Sequence, residues 1–115
     1  MEQFTLERDG QPPVTFVGEM LGHASSHTAG KPRWFEVGIY RTEQGRYVVH
    51  GLGASDILGE SDRGWVQVVD TADEVVGALY RHGDGGPYLT RTSQDALAEA
   101  ATVDEGVAAA YVVRL

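Results

Sequence analysis

Apolar and polar residues alternate along much of residues 1–70, whereas residues 71–115 carry apolar positions at helical spacing; the chain therefore reads as strands followed mainly by helices. Phe4 and Leu6 alternate with polar neighbours until Asp9-Gly10-Gln11-Pro12-Pro13 breaks the run, and an extended pattern resumes over residues 14–21. Residues 22–32 are too polar and glycine-rich to pack and are expected to form a loop. The clearest signal is a β-hairpin with strands at 33–41 and 46–51, closed by Thr42-Glu43-Gln44-Gly45. Gly45 can take the left-handed conformation that ends a type I turn with a G1 bulge.

With the loop at Glu43-Gln44-Gly45, Thr42 faces Arg46 and Tyr40 faces Val48. One hairpin face then carries Phe35, Val37, Ile39, Tyr47 and Val49, and the other Trp34, Glu36, Tyr40, Arg46, Val48 and His50. A slip of one residue would scramble these pairs, and this register is preferred because it gathers the apolar side chains on one side.

Beyond the hairpin, residues 52–64 read as a charged, glycine-containing loop and residues 65–70 as a further strand. Thr71-Ala72-Asp73-Glu74 forms a capping box for a helix reaching about residue 82, with Val75, Val76, Leu79 and Tyr80 on its apolar stripe. His82-Gly83-Asp84-Gly85-Gly86-Pro87 breaks the chain, Tyr88-Leu89-Thr90 suits a short extended piece, and an alanine-rich helix follows from Thr92 or Ser93 to about residue 101. Asp104 can cap a third helix through Tyr111, leaving residues 112–115 as helix or a last strand. The expected architecture is one α+β domain over residues 1–115: an antiparallel sheet of about five strands followed by two or three helices.

Composition narrows the functional classes. The chain has 115 residues and no cysteine, which removes disulfides, thiolate metal sites and cysteine nucleophiles. Its formal charge of −8 is uneven, with 7 acids and 5 bases in residues 1–56 against 10 acids and 4 bases in residues 57–115. Such a field repels phosphate and argues against general nucleic-acid binding. The opening residues lack a secretory pattern and no apolar stretch is long enough for a membrane span, so a cytoplasmic location is expected.

No motif dictates a reaction. His23 and His27 stand four apart in the expected loop, where that spacing carries no helical meaning, and no acid within the loop completes a metal site, so no metal or cofactor is expected. Gly51-Leu52-Gly53-Ala54-Ser55 lacks the lysine of a P-loop, and none of the serines sits in a nucleophile elbow. Lys31, Arg33, Arg41 and Arg46 gather around the hairpin and give the acidic chain a dipolar surface, although bases along strands also serve as edge protection.

The candidate site is the second hairpin face, where Trp34, Glu36, Tyr40, Arg46 and His50 combine aromatic platforms with a carboxylate, a guanidinium and an imidazole. This mixture suits a protein partner or a planar or charged small ligand; it is also what helices covering that face would bury as core.

The wording Arg33-Trp34-x-Glu36-x-x-Ile39-Tyr40-Arg41-Thr42-x-x-Gly45-Arg46-Tyr47, with Asp70-Thr71-Ala72-Asp73-Glu74-Val75-Val76 later, resembles small actinobacterial proteins, some grouped as the EXLDI family. The Glu-x-Leu-Asp-Ile segment that names the family is not present, and the resemblance transfers no site. Residue usage suits a high-GC bacterium or its phage.

Three readings follow. The first is a non-enzymatic interaction or regulatory module using the hairpin face, with an unknown protein partner and homodimerisation left open. The second is a small-ligand binder or enzyme, with His50 and Glu36 as proton-transfer groups and Trp34 and Tyr40 as walls. The third is an acidic mimic of nucleic acid, which requires the acids of residues 57–115 to form one continuous surface.

Overall fold

Short turns at residues 9–10 and 43–46 and longer connections over residues 26–32 and 56–62 fold the first part of the chain back and forth into five antiparallel strands. The computed structural model describes residues 1–112. Strands β1 (Glu2–Arg8), β2 (Gln11–Ser25), β3 (Arg33–Thr42), β4 (Tyr47–Ser55) and β5 (Arg63–Val69) form one sheet in chain order. Helix α1 (Ala72–Leu79), a small hairpin of β6 (Arg81–Gly83) and β7 (Gly86–Tyr88), helix α2 (Arg91–Ala101) and helix α3 (Glu105–Ala110) follow. This is the α+β architecture expected from the pattern.

The central hairpin has the expected register, with Tyr40 opposite Val48, Ile39 opposite Val49 and Gly38 opposite His50. Its turn is closed by Thr42 N–H donating to the Arg46 carbonyl and Gly45 N–H to the Thr42 carbonyl, with Gly45 at φ +86°. Alternation then divides the sheet into two faces. The outer face packs Val37, Ile39, Tyr47, Val49 and Val69 against Val75, Leu79, Leu97 and Val107 of the helices. A bulge between Met20 and Gly22 in the pairing of β2 with β3 brings Leu21 into the same core.

The inner face is not covered by helices. The sheet curls so that β1 approaches β5, and Asp9 N–H donates to the Gly64 carbonyl at 2.8 Å. Within the curl, Leu6, Tyr40 and Val48 form a second buried cluster against Phe4, Phe16 and Val66. The Tyr40 ring lies 4.9 Å from Phe4 and 5.5 Å from Phe16, both edge-on.

Several boundaries differ from the sequence expectation. Gln11, Pro12 and Pro13 belong to β2, because residues 11–17 precede its pairing with β3 and the proline nitrogens owe no hydrogen bond on that side. β2 continues to Ser25, and Gly22 lies under α2, where a Cβ would stand 2.3 Å from the Ala96 carbonyl oxygen. β4 continues to Ser55, so the loop expected over residues 52–64 shrinks to residues 56–62, and β5 begins at Arg63. Helix α1 stops at Leu79 rather than near residue 82, since Tyr80 turns extended (ψ 137°) and feeds β6. Asp84 and Gly85 form the turn of a small hairpin, while α2 starts at Arg91 behind a Thr90 cap. Thr71 and Asp104 cap α1 and α3 as expected. Val112 is irregular, and the rest of the segment expected to end the chain, residues 113–115, lies outside the described residues.

Candidate functional site

The five side chains proposed from the sequence separate into three environments. Tyr40 is 4% exposed and belongs to the inner aromatic cluster, where burial, then the nearby Glu36 carboxylate, pushes its phenol above the usual range. Arg46 is exposed at the turn end of the hairpin and donates from Nε to Asp70 at 2.8 Å. Trp34, Glu36 and His50 share the inner face at the opposite end of the strands. Alternation along β3 and β4 puts them there, and the described helices stand on the other side.

Glu36 is fully engaged by its neighbours. The Trp34 indole Nε1–H donates to Glu36 Oε2 at 2.9 Å, and His23 Nε2 lies 3.2 Å from Glu36 Oε1. His27 packs edge-on against Trp34 with ring centroids 4.3 Å apart. His23 went unrecognised as Glu36's partner because residues 22–25 read as loop; extending β2 through Gly22 is the step that pairs His23 with Gly38 and Ser25 with Glu36. Among the described residues, no group of three or more histidines or acids is placed to hold a metal ion.

His50 differs from these groups. Its Nε2 is shut off from solvent and has no hydrogen-bond partner, the one such side-chain atom among the described residues. Burial pushes the imidazole below its usual range, opposed in part by the Glu7 carbonyl and the Glu36 carboxylate. His50 also lines a cavity of about 430 Å³ with Leu6, Arg8, Leu52, Asp62 and Gly64.

Backbone closure builds this cavity. Gly64 lies opposite Leu52 on the inner face, and a Cβ there would stand 2.7 Å from the Glu7 carbonyl oxygen and 3.5 Å from His50 Nε2. Glycine therefore lets β1 close on β5 against the imidazole. The packed rings of Phe4, Phe16 and Tyr40 occupy another part of the curl. Arg8 is fixed by Nε donating to the Pro12 carbonyl at 2.8 Å, and Asp62 accepts the Ser55 N–H at 3.0 Å. Sequence reasoning found His50 but missed Arg8, Asp62 and Gly64, since their meeting depends on a contact between the first and last strands that no local pattern records.

A larger concavity of about 730 Å³ lies at the strand ends beside Trp34, under residues 59–61. Arg33 makes a two-pronged contact with Glu60 there, and Ser55 Oγ donates to the same carboxylate at 2.6 Å. Its polar groups are thus largely satisfied by one another. No protein-family model, curated protein or solved structure matches this chain, and the resemblance of its hairpin segment to the EXLDI group rests on the sequence wording alone.

Proposed function

We propose that the chain is a small-ligand-binding protein whose site is the cavity beside His50. The observation that carries this reading is the 430 Å³ cavity itself, where the buried Leu6 and half-buried Leu52 meet the partly buried His50 and the polar Arg8 and Asp62. That volume lies within the ordinary range of ligand pockets, roughly 300–1,000 Å³.

Binding is favoured over catalysis because of Glu36. Both of its oxygens already accept hydrogen bonds or face His23, so it is poorly placed to exchange a proton with a ligand. His50 and Glu36 nevertheless lie on the same side of the sheet, and Glu36 supports His50 electrostatically.

The test is ligand-induced stabilisation across a panel of neutral metabolites, since a ligand at a hundred times its Kd adds about 2.7 kcal/mol. Leu52→Trp should fill the cavity and abolish the gain. If no compound stabilises the native protein more than the filled variant, the reading fails.

A protein-contact module, with homodimerisation included, is the second reading, and a different surface favours it. Phe35, Tyr80 and Tyr88 are 41%, 44% and 48% exposed, and Arg81 stacks 4.8 Å over the Phe35 ring. Aromatic residues with arginine are the common anchors of interfaces. Sedimentation of the native chain and Phe35→Ser over a wide concentration range tests self-association: a monomer in both excludes the homodimer. The nucleic-acid-mimic reading would need a continuous array of free acids, whereas Glu60, Asp70 and Asp95 each sit against an arginine.

A further inference from the structure

Beyond the His50 cavity, we infer that the larger concavity at the strand ends is a second ligand site, which takes a flat aromatic ring bearing a carboxylate. Its floor is Gly53, on the sheet face turned away from His50.

Strand pairing builds the floor. Phe35 stands opposite Gly53, and Gly53 opposite Arg63, so the three form one row across β3, β4 and β5. The neighbouring row on this face runs from Val37 through Gly51 to Trp65. There the Trp65 indole lies on the glycine, and a Cβ at Gly51 would stand 2.2 Å from its ring atoms. Over Gly53 the chain supplies no ring. A Cβ there would meet only the Arg63 carbonyl oxygen, at 3.8 Å, and the place opens into the 730 Å³ concavity that Phe35, Gly53 and Arg63 line.

Phe35 is the wall. Its side chain is 41% exposed and lines both this concavity and the cleft beside Trp65. Arg81, stacked 4.8 Å over the phenyl ring, belongs to that cleft and not to the concavity. Strands lie about 4.8 Å apart, so a ring centred over Gly53 falls roughly 5 Å from the Phe35 strand, within the range of aromatic pairs.

The carboxylate follows from which polar groups are already engaged. Arg33 and Ser55 Oγ hold Glu60, Asp62 accepts the Ser55 N–H, and Ser26 Oγ accepts the Phe35 N–H. Arg63 is exposed, and among the described residues its side chain makes no hydrogen bond or ion pair. A guanidinium in that position suits a planar carboxylate, which it can grip through two parallel hydrogen bonds.

The experiment titrates benzoate, benzamide and cyclohexanecarboxylate into protein carrying ring-labelled phenylalanine, followed by NMR. Benzoate is expected to shift the Phe35 ring signals saturably. It should bind roughly two- to fivefold more tightly than benzamide, the factor an exposed charge pair supplies. Cyclohexanecarboxylate, charged but not flat, should bind more weakly than benzoate. Gly53→Val puts a side chain on the floor and should abolish the Phe35 shift while the amide spectrum stays that of a folded protein. Arg63→Gln, at an exposed position, should lower benzoate to the level of benzamide, and it keeps the test open should the valine variant not fold.

If benzoate leaves the Phe35 ring unmoved, or moves it equally in folded Gly53→Val, the site is overturned. Benzamide or cyclohexanecarboxylate binding as tightly as benzoate, or a benzoate preference that survives Arg63→Gln, overturns the ligand class. The Leu6 and Leu52 methyls report the His50 cavity separately, so the two sites fail independently.

Discussion

Replacing Asp104 should be among the most damaging single changes to stability, for reasons visible in its contacts. The residue is 5% exposed, and its Oδ1 accepts from Val107 N–H at 3.0 Å and from the Tyr47 hydroxyl at 2.9 Å. Oδ2 accepts from Arg41 Nη1 at 3.0 Å. One carboxylate thus caps α3 and fastens that helix to β3 and β4. Asp104→Ala removes a cap worth about 1 kcal/mol. It also strands the buried Tyr47 hydroxyl at a further 1–3 kcal/mol or so. Arg41 has a side chain 43% exposed and can turn to water, so its loss adds little. The total is about 3 kcal/mol.

Asp104→Asn keeps an acceptor for Val107 and Tyr47 but removes the charge; its cost should be about 1–2 kcal/mol, and Tyr47→Phe should cost about 1 kcal/mol. Urea denaturation measures these values. With a slope of about 1–3 kcal/mol per molar, the alanine variant should lose at least about 1 M in its midpoint without a change in slope.

The same contacts set a pH dependence. Burial alone would raise the Asp104 carboxyl, but the Val107 N–H, the Tyr47 hydroxyl and Arg41 hold it below its usual range. A depressed carboxyl contributes stability that is present above the unfolded-state value of 3.8 and lost as pH falls through the lower folded value. Asp104→Asn should therefore flatten the acid limb of the stability curve. An alanine variant within 1 kcal/mol or so of the native protein, or one no worse than Tyr47→Phe, would refute this reasoning.

Three further outcomes are expected. Gly64→Ala forces a Cβ to 2.7 Å from the Glu7 carbonyl oxygen and should push β1 from β5 at about 1–3 kcal/mol; hydrogen exchange at Asp9 should then lose protection, and unchanged protection would contradict the closure described. His50 has a lowered pKa, chiefly through burial, so stability should fall as pH drops below its unfolded value of 6.5; His50→Phe should remove this dependence in pH-resolved denaturation. Thr71→Ala removes the acceptor of the Glu74 N–H, 3.2 Å away, and should cost about 1 kcal/mol by the same assay.

Where signals were local, the sequence carried them. Gly45 and the alternation around it were enough to register Tyr40 against Val48. Thr71 and Asp104 announced their helices through side chains that serve their own backbone. Glycines that serve tertiary contacts misled. Gly53 was expected in a loop, yet it lies in β4 opposite Phe35. Gly22 likewise marks the seat of α2, not a turn.

The sequence separated the two hairpin faces but left open whether helices cover the second; the described helices pack on the first. What local pattern could not supply was the second face's division into an aromatic cluster, an ion-paired end and a cavity. That division arises because β1 folds over the inner face, with Phe4 and Leu6 covering Tyr40 and Glu7 reaching Gly64. Tyr80 shows the converse error: it continues the apolar spacing of α1 but leaves the helix and stands 44% exposed.

Intermolecular nuclear Overhauser effects between benzyl alcohol and the protein address the cavity most directly. The account predicts cross-peaks from the alcohol's ring protons to the Leu6 and Leu52 methyls that line the cavity. Cross-peaks confined to Phe35, Tyr80 or Tyr88, or none at all, would contradict it.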